Sequence, residues 1–452
     1  MDQGEDQDIT IENKNVSVER VHVIGLNNTK KDYINSEIGN VLKSKTFLEV
    51  YNNAIRSRDT MMKKGVFKNV EVFIDTTEAY ENHKNDGVQV LFKVQELSRV
   101  VGEARTQMSA SEQPSWVLRI MAPNLGGRGE KAVLSFSHAF GNKSVCTPDD
   151  FDLTFSKPLL NKNTNIGSVF NLSANQTTHQ CPWASYNQLA KGVSAGWDFN
   201  VLGNTHRLEA HAQWRELQPT EDNGSMDVRR QSGHSVKTSL LHSFCVNRLD
   251  DLILPTKGSY FKINEELGIY NGKSAFVKEQ IQLKLVRTLL NKMTFEVSSH
   301  LGAIVPLSSF EDINISDKFF IGGPMSMRGF EYNSIGPCNN KAFTGSWAYW
   351  LLGGHLYTPL PFVSSGCEEP SWSQAIRLHF FFNSGNCVNP KTLVENGPSA
   401  LFNNTRLSCG FGVAYNLMKA ARVELNFCYP ISAKKSDKTS DGLQFGIGVS
   451  TC

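Results

Sequence analysis

The sequence predicts a mainly β protein: a 16-stranded antiparallel transmembrane β-barrel over residues 98–452, preceded by one small α+β module over residues 16–97. Three observations predict it. Beyond Arg99 the chain alternates apolar and polar residues in runs of at least the roughly 9 to 11 residues that a membrane strand needs. The longest purely apolar run, Trp347 to Leu352, falls far short of the about 20 residues of a membrane helix. A mean hydropathy of −0.31 therefore excludes helical membrane proteins and leaves barrels open, because their strands average out as polar. Junctions between the runs are short at some ends, as at Leu202-Gly203-Asn204, and long at others, as from Asn383 to Asn404, which is the asymmetry of an up-and-down membrane barrel.

Composition removes several function classes. A net charge of +2 gives no electrostatic footprint for nucleic acid. Asp2, Glu5, Asp6, Asp8 and Glu12 precede any strong run of basic residues, so residues 1–15 read as an acidic disordered tail rather than a secretory signal or basic presequence. Nine cysteines without a C-x-x-C pair give neither a zinc signature nor a disulfide framework. The eleven histidines are scattered, with no H-E-x-x-H, and no Gly-rich phosphate loop opens a helix. Gly192-Val193-Ser194-Ala195-Gly196 matches the G-x-S-x-G elbow, but alternation runs straight through it to Val201, and a strand interior is no elbow. Glu265 and Glu266 are adjacent, so in a strand they point to opposite faces and share no proton. No catalytic residue, metal site or cofactor is expected, and the chain does not read as an enzyme.

Along the module, Val16, Val18, Val21 and Val23 form a β-like run that ends at Gly25. Asn28 and Thr29 offer caps for a helix from Lys30 to about Asn40, and a second helix runs from about Leu48 to Lys64, stopped by Gly65. Two strands follow, one through Val70, Val72 and Ile74 and one through Val88, Val90, Phe92 and Val94. Beyond the module, strands are expected to begin near 100, 114, 130, 149, 165, 188, 204, 233, 258, 273, 291, 343, 373, 405, 420 and 441. A large soluble β-sandwich is the rival; it would show shorter strands and would not need Trp347, Tyr349, Trp350 and Tyr357 near strand ends as an aromatic girdle.

One segment, residues 306–342, lacks the alternation around it, and loops longer than about 15 residues inside an ordered chain are usually functional or disordered. It carries Gly322 and Gly323, then Arg328, Gly329 and Phe330, a cation and an aromatic on either side of a glycine. An arginine on such a loop has a polar lumen to enter.

Lys64-Gly65-Val66-Phe67-Lys68-Asn69-Val70 and the closing Val94-Gln95-Glu96 resemble a POTRA domain, the repeat of the outer-membrane barrel insertases. Module, strands and the Met327-Arg328-Gly329-Phe330 tip together resemble the barrel subunit of the mitochondrial sorting and assembly machinery. That resemblance implies a site in the mitochondrial outer membrane, with the module in the intermembrane space. It implies β-barrel precursors as clients, recognised by a C-terminal sorting strand, with accessory subunits and membrane lipids as the other partners. In that superfamily the loop arginine docks on a strand motif matched here by Phe381, Asn383 and Gly385, with Asn383 in place of an acid, and His355 stands where bacterial relatives carry an acid. The resemblance thus implies a clamp by hydrogen bond rather than ion pair. It also implies a lateral gate between the first strand, with Val100, Gly102 and Ala104, and the last, with Gly446, Gly448 and Val449, whose glycines would weaken the seam. The chain ends on Gln444-Phe445-Gly446-Ile447-Gly448-Val449-Ser450-Thr451, a near match to the family's sorting signal of polar-x-Gly-x-x-apolar-x-apolar form. Two alternatives stay open: a polypeptide-translocating barrel, which would normally carry more than one such module, and a passive porin-like channel, which gives no reason for the module or the loop tip.

Overall fold

The computed structural model describes residues 15–76, 86–107, 115–139, 150–159, 167–220, 225–271, 274–289, 293–307, 313–360, 375–389, 392, 395–418 and 421–448. The acidic tail up to residue 14 and Val449 lie outside these. No described helix is long and apolar enough to cross a membrane.

The N-terminal elements are β1 (Val16–Ile24), α1 (Lys31–Ile38), α2 (Phe47–Lys63), β2 (Phe67–Thr76) and β3 (Asp86–Glu96). They make a three-stranded sheet in the order β1-β3-β2, with β1 parallel and β2 antiparallel to β3. Val50, Ala54, Ser57 and Met61 recur at helical spacing and form the buried stripe of α2. That stripe closes over Val88, Val90, Phe92 and Val94 of the central strand. Thr46 caps α2 by accepting the Glu49 N–H, and Gly65, at a φ of +67°, ends it in the left-handed conformation that glycine takes most readily.

The start of α1 differs from the sequence expectation. Its N-cap is Lys30, which makes no side-chain capping bond. Asn28 and Thr29 are engaged elsewhere: the Glu96 carboxylate accepts the N–H groups of Asn27, Asn28 and Thr29 at 3.2, 2.9 and 2.9 Å. Charge-assisted hydrogen bonds of this kind are the stronger ones, and they fix the main chain ahead of the helix. Asn28 and Thr29 also bond to Asn124, the Lys30 N–H donates to Gly127 O at 2.8 Å, and Arg128 pairs with Asp32 at 2.8 Å. These partners belong to one compact unit made of Met1–Ala104, Leu118–Ser135 and Leu153–Asn171.

The remaining strands are β4 (Val101–Gln107), β5 (Ser115–Ala122), β6 (Lys131–Ala139), β7 (Asp150–Leu159), β8 (Ser168–Cys181), β9 (Tyr186–Val201) and β10 (Asn204–Pro219). Then come β11 (Gly233–Asn247), β12 (Gly258–Tyr270), β13 (Ser274–Thr288), β14 (Thr294–Pro306), β15 (Cys338–Asn339), β16 (Ala342–Phe343) and β17 (Ala348–Pro359). The chain ends in β18 (Ile376–Val388), β19 (Arg406–Leu417), β20 (Ala421–Ser432) and β21 (Gly442–Gly448). All but the paired β15 and β16 join one 16-stranded sheet whose order follows the chain from β4 to β21. Observed starts follow the alternation closely. The largest gap is at β17, which begins at Ala348 because Ala342 and Phe343 pair with Cys338 and Asn339 inside the loop. Gly192 to Gly196 lie inside β9, in continuous register with β10.

Alternation sorts the side chains. In β13 Val277, Leu283 and Leu285 are exposed, while Lys278 donates to Asp317 O at 2.8 Å on the other, inner face. The aromatic girdle expected near β17 is corrected: Trp347, Tyr349 and Tyr357 are buried. Tyr349 and Tyr357 share the inward parity of their strand, and of these four aromatics only Trp350 has the outward one.

Glu96 carries a testable consequence outside the sheet. Partial burial pushes its carboxyl upward, but bonds from the Thr29 side chain and from the Thr29, Asn28 and Asn27 amides outweigh this and hold it below the usual value. A carboxyl depressed in the folded state contributes stability that is complete above the ordinary carboxylate range and is lost as pH falls through the depressed value. Amide-exchange protection at Asn28 and Thr29 should therefore fall on acidification, and Glu96→Ala should lower it at neutral pH by about tenfold or more. Unchanged protection in that variant would show that the carboxylate does not hold the Asn27 to Thr29 main chain.

Candidate functional site

The long loop, described over residues 313–347, contributes much of one buried apolar cluster. Phe319, Ile321, Met327, Phe330 and Ile335 pack with Tyr349 and Leu351 of β17 and Phe276 of β13. Gly322 and Gly323, at φ +117° and +123°, fold the segment back on itself. A Cβ on Gly322 would lie 2.6 Å from Glu331 O, so only glycine fits this turn. Isolated bridges Ile321 to Ile335 and Gly323 to Met327 close the resulting narrow hairpin, and Arg328 leaves it toward the sheet.

Arg328 is 2% exposed and meets Glu424 of β20 in a bidentate pair, Nε to Oε2 at 2.9 Å and a terminal nitrogen to Oε1 at 3.1 Å. This corrects the expected neutral clamp: the partner is a carboxylate, carried two strands beyond the motif at Phe381 and Asn383. The motif residues frame the pair instead. The guanidinium stands 5.3 Å from the centre of the Phe381 ring, and the Asn383 carboxamide, turned to satisfy both its ends, accepts the Arg328 main-chain N–H at 3.2 Å. His355 enters only through a relay: it bonds His379 at 3.1 Å, His379 bonds Asn426 at 3.0 Å, and Asn426 donates to Glu424 at 2.8 Å. Gly385 lies apart from the pair, where a Cβ would fall 2.4 Å from Leu351 Cδ2.

Glu424 is fully buried and also pairs with Arg422, which bonds the Tyr357 hydroxyl and lies 4.0 Å from Glu296. Glu296 in turn pairs with Lys284 at 3.4 Å, so three cations and two carboxylates share one network inside the wall. Polar residues at every second position of β20, Arg422, Glu424 and Asn426, were the sequence signal for this cluster. A second anchor was not foreseen. Asp317, at the other end of the loop, pairs with Arg215 of β10 at 2.7 Å and with Lys237 of β11.

The loop tip is also joined to the last strand. The Gln444 side chain accepts the Gly329 N–H at 3.0 Å and donates to Phe330 O at 2.9 Å. Main-chain bonds from Ser440 N to Gly329 O and from Glu331 N to Lys438 O continue the seam. The glycines of β21 acquire a different reason from the one read in the sequence. A Cβ on Gly446 would stand 3.0 Å from Pro324 Cβ, and one on Gly448 2.5 Å from Met325 Cε, so their absent side chains admit the loop. Gly102 and Ala104 are exposed in β4, and Val100 directly precedes that strand. Among the described residues no group of three or more His, Cys, Asp or Glu is placed to hold a metal ion.

The Omp85 superfamily domain model matches residues 124–450. Sorting and assembly machinery component 50 homolog A of Xenopus laevis is 38% identical over 444 residues, covering 97% of this chain and 91% of that protein. The Homo sapiens homolog is 37% identical with the same coverage, and a SAM50-like protein of Drosophila melanogaster is 28% identical over 95% of this chain. Among solved structures, BamA from Haemophilus ducreyi lacking POTRA domains 1-3 superposes with a TM-score of 0.74 at 18% identity, covering 97% of this chain and 84% of that one. At that identity the likeness is one of fold.

Removing Glu424 leaves two arginines facing each other in the wall, and breaking a buried pair costs about 3 to 5 kcal/mol. Asn383→Ala removes one neutral hydrogen bond, about 0.5 to 1.5 kcal/mol. Urea unfolding in detergent micelles should rank Glu424→Ala well below Asn383→Ala in midpoint. The reverse order would mean that the motif residue, not Glu424, holds the loop.

Proposed function

Because the chain belongs to the Omp85 superfamily and, within it, to the family of the sorting and assembly machinery component 50 homologs, we propose that it folds and inserts β-barrel precursors into the mitochondrial outer membrane. The activity is one of templating, with no covalent step. β4 and β21 are the two ends of the strand order, and in this reading the gate lies between their edges. In lipid each unpaired backbone group costs several kcal/mol, so such an edge opens only when another strand replaces its partner. The precursor's last strand supplies that replacement by β-augmentation along the β4 edge, near Val100, Gly102 and Ala104.

The observation that carries this reading is the pair of hydrogen bonds between the Gln444 carboxamide and the main chain of Gly329 and Phe330, next to an Arg328 fixed in the wall. It ties the inner face of the last strand to a loop anchored elsewhere, so the strand that leaves and the strand that replaces it meet the same surface. The module of β1 to β3 faces the intermembrane space in this reading, where incoming precursors arrive, and accessory subunits complete the machinery.

Arg328→Ala should leave the protein integrated in the membrane yet slow the assembly of client barrels imported into isolated mitochondria. Normal client assembly in that variant would refute the role of the loop. Cysteines at Gly102 and Ala104 should crosslink to the last strand of an arrested precursor, and absence of any such adduct along β4 would remove the gate.

A further inference from the structure

The outer face of the sheet carries ionisable groups where a lipid-facing wall has no use for them. Glu265 of β12 pairs directly opposite Glu279 of β13, and His242 of β11 lies opposite Glu265 and meets its carboxylate at 2.9 Å. All three have the outward parity of their strands. Phe261, Ile263, Leu267 and Ile269 flank Glu265 symmetrically on that face, and Ala275, Val277, Ile281 and Leu283 flank Glu279. Both carboxylates therefore stand at mid-height of an apolar band. Charged side chains there are costly, and like charges directly opposite each other add to that cost. Among the described residues no hydrogen bond or ion pair reaches the Glu279 carboxylate.

The same pairing row continues into a groove. Glu279 is in register with Ala303 of β14, and Ala303 with Ala348 of β17. A groove of about 380 Å³ opens there, lined by these two alanines with Leu301, Trp350 and Phe402, and Glu279 stands at its edge. Its floor of small residues lets another backbone approach closely, as at helix contacts within membranes.

We infer that this face of β11 to β14 and β17 docks the transmembrane helix of a partner subunit that carries one lysine or arginine near its middle. Charge decides the sign of the partner: two carboxylates, one of them unshared, call for a cation. Depth decides its class. A phospholipid headgroup lies at the rim of a hydrocarbon layer about 30 Å thick and does not reach mid-height, whereas a residue halfway along a spanning helix does. The inference rests on the membrane placement proposed above but not on client insertion, so the two fail separately.

The test uses the full chain in phosphatidylcholine nanodiscs and a fluorescent leucine-alanine helix of about 20 residues with one central lysine, against the same helix with leucine there. The lysine helix should bind at least about tenfold more tightly, by energy transfer to a donor on the protein. Glu279→Gln should reduce that preference and the Glu265→Gln/Glu279→Gln pair should abolish it, with the folded barrel checked by its heat-modifiable mobility. Equal binding of the two helices would leave the groove to acyl chains and overturn the proposal. So would a preference that survives in the double variant.

Discussion

The unit built around the long loop depends on one buried carboxylate. Glu424 lies inside the wall with an arginine on either side, Arg422 from its own strand and Arg328 from the loop. Arg328 has Glu424 as its ion-pair partner, and a buried charge without a partner costs several kcal/mol, whereas Arg422 also has Glu296 at 4.0 Å. Retraction of the loop would break the Arg328 pair and leave Glu424 to Arg422. Everything else about its path follows: two glycines at positive φ turn the hairpin, Phe381 and Asn383 frame the guanidinium, and Asp317 holds the far end against Arg215 and Lys237.

A loop fixed at both ends becomes a surface against which the last strand is seated. Gln444 is bonded to the tip through its carboxamide, and Gly446 and Gly448 let Pro324 and Met325 approach the strand. Glycine in β21 thus has two effects at once. It weakens the strand intrinsically, and it strengthens the strand's attachment to the loop. The proposed gate, which must hold its resting strand and still release it, needs both.

Much of this fold was legible in the sequence because a strand with one lipid face and one polar face writes its period directly into the residues. The sheet and the two-helix module emerged on that basis, and so did the loop, as the place where the period fails. What was not legible is pairing across distance. The sequence points to a neutral partner for Arg328 at Asn383, yet Glu424 is 96 residues away from Arg328 in the chain, and only sheet register brings it beneath the tip. The polar alternation Arg422, Glu424, Asn426 announced an inward cluster without saying what it faced. Asn28 and Thr29 read as caps because local rules see only neighbours, and Asn124, 95 residues on from Thr29, engages their side chains instead. The aromatics of β17 misled for a related reason: a girdle and a buried wall use the same residue types, and only parity separates them.

The central claim is that the loop seats the last strand and must let it go for a client to be assembled. Pro324→Cys with Gly446→Cys, in a chain freed of its other cysteines, tests this directly, because the 3.0 Å approach at that position is close to the Cβ separation of a disulfide, about 3.5 to 4.5 Å. The account predicts that oxidation locks strand to loop and halts client assembly in isolated mitochondria, and that reductant restores it. Client assembly at the same rate in the oxidised and reduced protein, with the crosslink verified, would contradict it.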